Sequence, residues 1–136
     1  MKEEAKEIRF GGITPYLFYS DAAAMLDWLS RVFGFVEKGR WARPDGVIHN
    51  AEMIVGPTEV WIDGANPQMK PARMTWIGVW VDDPDAMYER AVAHGAQAEP
   101  PVDKEYGVRV TQVKDPEGYT WGFMRKLDRP AGARPG

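Results

Sequence analysis

The chain has 136 residues, 44% hydrophobic and 27% charged, with a formal net charge of -3, which suits one globular domain or two small halves sharing a core. That mild acidic excess gives no basis for binding a nucleic-acid phosphate backbone or an anionic membrane surface. There is no cysteine, so disulfides, thiolate metal sites and cysteine nucleophiles are excluded, and no apolar run approaches membrane-spanning length.

The opening residues, MKEEAKEIRF, are charged and lack an apolar signal core, so a cytoplasmic location is expected. Residues 1–11 read as an extension. GITPYLFYSD, from Gly12 to Asp21, has the β-favouring residues of a strand and ends on an Asp suited to cap a helix. In AAAMLDWLSRVFGF the apolar residues Met25, Leu26, Leu29, Val32 and Phe33 recur at helical spacing, and Gly34 suits a helix stop. VEKGRWAR and VIHNAEMIV flank the turn PDG and read as a hairpin, and GPT leads tightly into the strand EVWID. Residues 65–73, ANPQMKPAR, read as a linker. The pattern then restarts. MTWIGVWVDD is a strand ending in acid, and PDAMYERAVAHG is a helix with Pro at its start and Gly at its end. AQAEPPVDKEYG holds a short strand at most, VRVTQVKD and YTWGFMRK are strands around the turn PEG, and residues 127–136 form a Pro- and Gly-rich tail expected to fray.

The two halves superpose at the spacing that separates Asp21 from Asp83, with Ala24-Met25 matching Ala86-Met87. The fold class expected is α+β: two β-α-β-β-β modules, residues 12–64 and 74–126, forming a cup-shaped mixed sheet with helices outside. Strand alternation assigns the faces. Ile13, Pro15, Leu17, Tyr19, Val60, Ile62, Ile77, Val79, Val81, Trp121 and Phe123 form the helix-facing set. Thr14, Tyr16, Phe18, Glu59, Trp61, Asp63, Trp76, Gly78, Trp80, Thr120, Gly122 and Met124 then line the cup. In the third strand His49, Ala51, Met53 and Val55 are the more apolar set, which sends Asn50 and Glu52 inward.

PYLFYSDAAAMLDWLSRVFGF, RPDGVIHNAEMIVGPTEVWID, VWVDDPDAMYERAVAHGA and VKDPEGYTWGFM, in this order, resemble the vicinal oxygen chelate superfamily, and in particular its PhnB-like branch. That superfamily includes glyoxalase I, extradiol dioxygenases and bleomycin-resistance proteins. The resemblance implies a cup-lined site, frequent homodimers, and in many members a divalent metal held by His, Gln or Glu at four equivalent positions. Those positions fall here on Thr14, Trp61, Trp76 and Gly122, which cannot supply the ligands that such an ion needs. The expectation is therefore a protein without metal or other cofactor. It would bind an aromatic or amphipathic small molecule, antibiotic-like, and would interact with no nucleic acid and no membrane. Trp61 and Trp76 would stack on the ligand, with Trp80 beside them. Tyr16, Phe18 and Met124 would shape the wall, Asn50 or Glu52 would anchor a polar group, and Tyr106 would lie near the closing loop. Two alternatives stand beside it. One is a glyoxalase- or dioxygenase-type enzyme drawing on His49, Glu52, Glu59 and Asp63 for a divalent metal. The other is a metal-free lyase or isomerase with Glu52 as base. Asp21 and Asp83 read as caps, Asp115 as a turn residue, His49 and Arg109 as surface residues, and His94 as a helix-end residue.

Overall fold

The two helices start where the acids sit. Asp21 accepts a hydrogen bond from the Ala24 amide at 3.0 Å, and Asp83 accepts one from the Ala86 amide at 3.0 Å, so each carboxylate satisfies an N-terminal amide left without an intrahelical partner. In the computed structural model, which describes residues 7–69, 71 and 75–128, the first module runs β1 (Tyr16–Phe18), α1 (Ala22–Trp28), β2 (Val36–Ala42), β3 (Ile48–Val55) and β4 (Thr58–Asp63). Helix α1 widens into a π-helical turn, Leu29–Phe33, and ends on Gly34 at φ 79°, the left-handed stop that glycine tolerates. The second module runs β5 (Trp76–Trp80), α2 (Pro84–Ala93), β6 (Gln97–Ala98), β7 (Val102–Asp103), β8 (Val108–Lys114) and β9 (Thr120–Lys126). The expectations for residues 1–6, for linker positions 70, 72 and 73, for Met74 and for the tail from 129 onward lie outside the described residues.

Each module repeats one pairing plan. The first strand pairs in parallel with the last, and the last pairs antiparallel with the one before it: β1-β4-β3-β2 in one sheet, β5-β9-β8-β6 in the other, with β7 also on β8. The class is α+β as expected, with the strands divided between two sheets. β1 and β5 are the corresponding edge strands.

One core serves both sheets. Leu17, Val60, Ile62 and Met53 of the first sheet and Trp121, Phe123 and Val113 of the second are buried with Met25, Leu26, Leu29 and Val32. Phe33 sits at the junction, with ring centroids 5.4 Å from Trp121 and 4.8 Å from Phe123 in edge-on contacts. Arg90 of α2 donates to the carbonyls of Val32 and Arg31 at 3.0 and 3.2 Å, covering acceptors that the helix end leaves free. Asp115 locks the modules together. Its carboxylate accepts from Tyr19 Oη at 2.6 Å, Trp121 Nε1 at 3.1 Å and the amides of Glu117 and Tyr119 at 2.9 and 3.1 Å.

Three sequence expectations change. The first strand starts at Tyr16 instead of Gly12, and Ile13, placed in the core by alternation, is 86% exposed. His49 is exposed, as its reading as a surface residue expects, but against the alternation of the third strand, and Ile48 is buried in its place. The β2–β3 register jumps there, from Trp41 opposite Asn50 to Ala42 opposite Ile48, and such a bulge reverses parity. Arg109 is held by Asp85 at 2.7 Å and by Asp103 at 2.9 Å, tying β8 to α2 and β7.

Candidate functional site

Helix-facing side chains of both sheets enter the common core, so the opposite faces are left for other uses. On β5 the alternation is clear: Trp76, Gly78 and Trp80 are exposed, while Ile77 and Val79 are half-buried against the core. On the face of the first sheet turned away from the core, Tyr16, Trp61 and Glu52 stand side by side across β1, β4 and β3. The corresponding row of the second sheet is Gly78, Gly122 and Gln112 across β5, β9 and β8. The first module therefore carries two aromatic rings where the second carries two glycines.

Trp76 fills the gap that those glycines leave. A Cβ built on Gly122 would lie 2.6 Å from the indole Cη2 and closer still to Cζ2, and one on Gly78 would lie 2.9 Å from Cζ3. The ring thus lies over the strand backbone, an approach that only glycine permits. Its Nε1 donates to Gln112 Oε1 at 2.8 Å, which fixes its direction. Trp76 remains 43% exposed: one side of the indole rests on the sheet and the rest is open. Met124 Cε packs against the same spot, 2.8 Å from the Cβ position of Gly78. Trp80 is more exposed and lies under the Lys126 ammonium, 5.8 Å from the ring centroid.

The first sheet's face is built differently. Tyr16 meets Phe18 at 5.3 Å and Trp61 edge-on at 6.2 Å. Trp61 Nε1 donates to Glu59 Oε1 at 3.0 Å. Lys38 reaches across from β2, its Nζ 2.9 Å from Glu59 Oε2 and 3.8 Å from Glu52 Oε1. The Trp61 bond and then Lys38 hold the Glu59 carboxyl below its usual range, and Glu59 in turn raises Lys38. Burial, followed by the nearby Asp63, raises the Tyr16 hydroxyl. Glu52 is thus paired with an ammonium and is not a lone carboxylate among indoles. Asn50 keeps a buried Oδ1 without a hydrogen-bond partner, an acceptor that a bound donor would satisfy.

The structure gathers the expected residues into two groups. Tyr16, Phe18, Trp61, Asn50 and Glu52 share the first sheet's face; Trp76, Trp80 and Met124 share the second's. Trp61 and Trp76 do not touch: one ring meets Tyr16 and the other lies on glycine. Tyr106 is 51% exposed in the turn before β8. Asp63 is 8% exposed and accepts from the Ala65 amide and Asn66 Nδ2, both at 2.7 Å, so it serves the turn after β4.

Among the described residues, no three His, Asp or Glu side chains are grouped so as to hold a metal ion. Thr14, Trp61, Trp76 and Gly122 stand where the sequence resemblance leads to an expectation of metal ligands. Two indoles and a glycine donate no lone pair to a divalent ion, so this set does not fit such a metal.

Three residues of these faces were missed. Lys38 sits at one β2 bulge, where the register jumps between Glu37 and Gly39. Trp41 lies three residues on, its ring 3.1 Å from the Cβ position of Gly39 and its strand partner Asn50. The bulge at Lys38 in β2 and the one at His49 in the facing strand β3 break the alternation that would have placed both. Gln112 was hidden because β8 is apolar on both faces, with Val110 and Val113 buried on opposite sides.

An apolar groove of about 1030 Å³ runs along β5, between Trp76–Val81 on one side and Ile54, Val55, Pro57 and Val60 on the other. Among the described residues, no helix is long and apolar enough to cross a membrane.

The family model described as Glyoxalase/Bleomycin resistance protein/Dioxygenase superfamily matches residues 9–123. An uncharacterized protein of Mycobacterium bovis is 32% identical over 82% of this chain and 80% of its own length. Among solved structures, TioX from Micromonospora sp. ML1 aligns at TM-score 0.70 and 33% identity, over 85% of this chain and 100% of that one. TnmS3 from Streptomyces sp. CB03234, described as an antibiotic binding protein, aligns at TM-score 0.72 and 18% identity, over 88% and 99%.

Proposed function

Because this chain belongs to the glyoxalase/bleomycin resistance protein/dioxygenase superfamily, we propose that it has kept the family's frame as a binding protein, one that sequesters an aromatic or amphipathic small molecule, antibiotic-like, without metal and without turnover. The observation that carries this reading is Trp76: an indole seated over Gly78 and Gly122, oriented by Gln112 and open to solvent. A ring held in this way loses little freedom when a flat ligand stacks on it, and stacking adds about 0.5–1.5 kcal/mol per contact beyond the area buried. Trp61, braced by Tyr16 and Glu59, offers a second ring. The chemistry of the four ligand-equivalent side chains favours metal-independent binding. TnmS3, described as antibiotic binding, has the same fold. On β3, Ala51-Glu52 fits the PhnB-like branch and Asn50 departs from it.

The binding unit in this proposal is a homodimer. The two indole faces belong to different sheets of one chain, and among the described residues β1 and β5 each have one edge without a strand partner. A second copy that sets the first module of one chain beside the second module of the other brings a Trp61 and a Trp76 across one cleft.

Equilibrium dialysis against planar aromatic antibiotics, followed by mass spectrometry of the recovered ligand, tests the proposal. Saturable binding with the compound returned intact supports it. Conversion of the compound by metal-stripped protein overturns sequestration in favour of catalysis.

A further inference from the structure

The two faces differ in charge as well as in shape. Glu52 and Glu59 converge on Lys38 Nζ at 3.8 and 2.9 Å, beside the Trp61 and Tyr16 rings. The row equivalent on the second sheet has the neutral Gln112 in place of Glu52. We propose that the first sheet's face selects cationic aromatic ligands, and that Lys38 Nζ occupies the place that the ligand's cation takes between Glu52 and Glu59. This rests on the reading that aromatic molecules bind these faces.

Two carboxylates facing one ammonium leave a net negative charge, and the π faces beside them attract a cation as well. An anionic ligand would meet both carboxylates. A neutral ligand would gain the stacking and leave Lys38 where it is. A ligand that carries its own cation on a ring gains the stacking and the carboxylates together. Lys38 is suited to give way. It sits at a β-bulge, where the register moves from Glu37 opposite Met53 to Gly39 opposite Glu52, and its side chain is 50% exposed. An exposed pair of this kind is worth little, because water takes over both partners. Glu59 stays in place when Lys38 leaves, since Trp61 Nε1 holds its other oxygen at 3.0 Å.

The test uses two dyes of one shape at neutral pH, N-methylacridinium (cationic) and acridine (uncharged), titrated by calorimetry into the full chain. The readout is the ratio of their affinities. Wild type is expected to prefer the cation by roughly three- to tenfold, a preference that shrinks at high salt. Lys38→Gln should widen the ratio by removing the competing ammonium. Glu59→Gln should narrow it to within about twofold, because the amide still accepts from Trp61 but carries no charge; Glu52→Gln is a second variant with the same expectation. A ratio unchanged or narrowed in Lys38→Gln, or unchanged in both glutamate variants, overturns the charge selection while leaving stacking intact. Failure of both dyes to bind wild type overturns the stacking reading, and this inference with it.

Discussion

Asp115 accepts hydrogen bonds from two side chains and two backbone amides while only 3% exposed. Replacing it by Asn turns one acceptor oxygen into a donor facing donors. Asp115→Asn is therefore expected to cost about 2–4 kcal/mol, read as a lower urea midpoint; an unchanged midpoint contradicts the role. Its partner Tyr19 is fully buried, and burial, with Asp115 adding to it, pushes the hydroxyl far above its usual range. The folded state keeps this proton where the unfolded state gives it up. The resulting stability is complete below pH ~10 and declines by about 1.4 kcal/mol per pH unit above it. Denaturation curves across that alkaline range should show the decline, and Tyr19→Phe should flatten it. The turn around Asp115 was legible from DPEG, but its partners were not. Tyr19 lies 96 residues away in the chain, and local pattern carries no information about a contact that the meeting of two modules creates.

At the scale of elements, the pair β5 and β9 decides whether a flat surface exists. Gly122→Ala places a methyl where the Trp76 ring lies, so the indole must lift and lose its bond to Gln112. The expected result is red-shifted Trp emission and roughly tenfold weaker binding of a stacking ligand, with the far-ultraviolet circular dichroism unchanged. Unaltered affinity would show that the seat does not matter. The faces of β5, β4 and β9 followed from alternation because each strand keeps an unbroken period of two. β2 and β3 did not, since the bulge at Lys38 in β2 and the one at His49 in β3 each shift parity. β1 followed the alternation from Tyr16 to Tyr19 and departed from it only before Tyr16. Ile13 has the composition of a core residue but precedes the three-residue strand that pairs with β4, and composition does not reveal where pairing begins.

At the scale of the whole molecule, the repeat and its βαβββ order were readable from matching residues such as Asp21 and Asp83, because caps and helix stops are local. The division of strands between two sheets with one shared core was not, because it depends on how the modules pack. That packing leaves β1 and β5 as edges, Ile13 exposed, and an apolar groove of about 1030 Å³ beside β5, features that isolated proteins usually cover. Light scattering coupled to size exclusion should give twice the chain mass of 15.3 kDa, and Ile13→Lys, which adds a charge at the groove, should shift the population toward monomer. A wild-type monomer at all concentrations contradicts the dimer. The claim on which the rest depends is that the indoles hold the ligand. Its most direct measurement is intrinsic Trp fluorescence during titration with a planar aromatic antibiotic that dialysis has shown to bind, in wild type, Trp61→Leu and Trp76→Leu. The expected result is saturable quenching in wild type and affinity weakened about tenfold in each variant; bound ligand with emission unchanged, or full affinity in both variants, would contradict it.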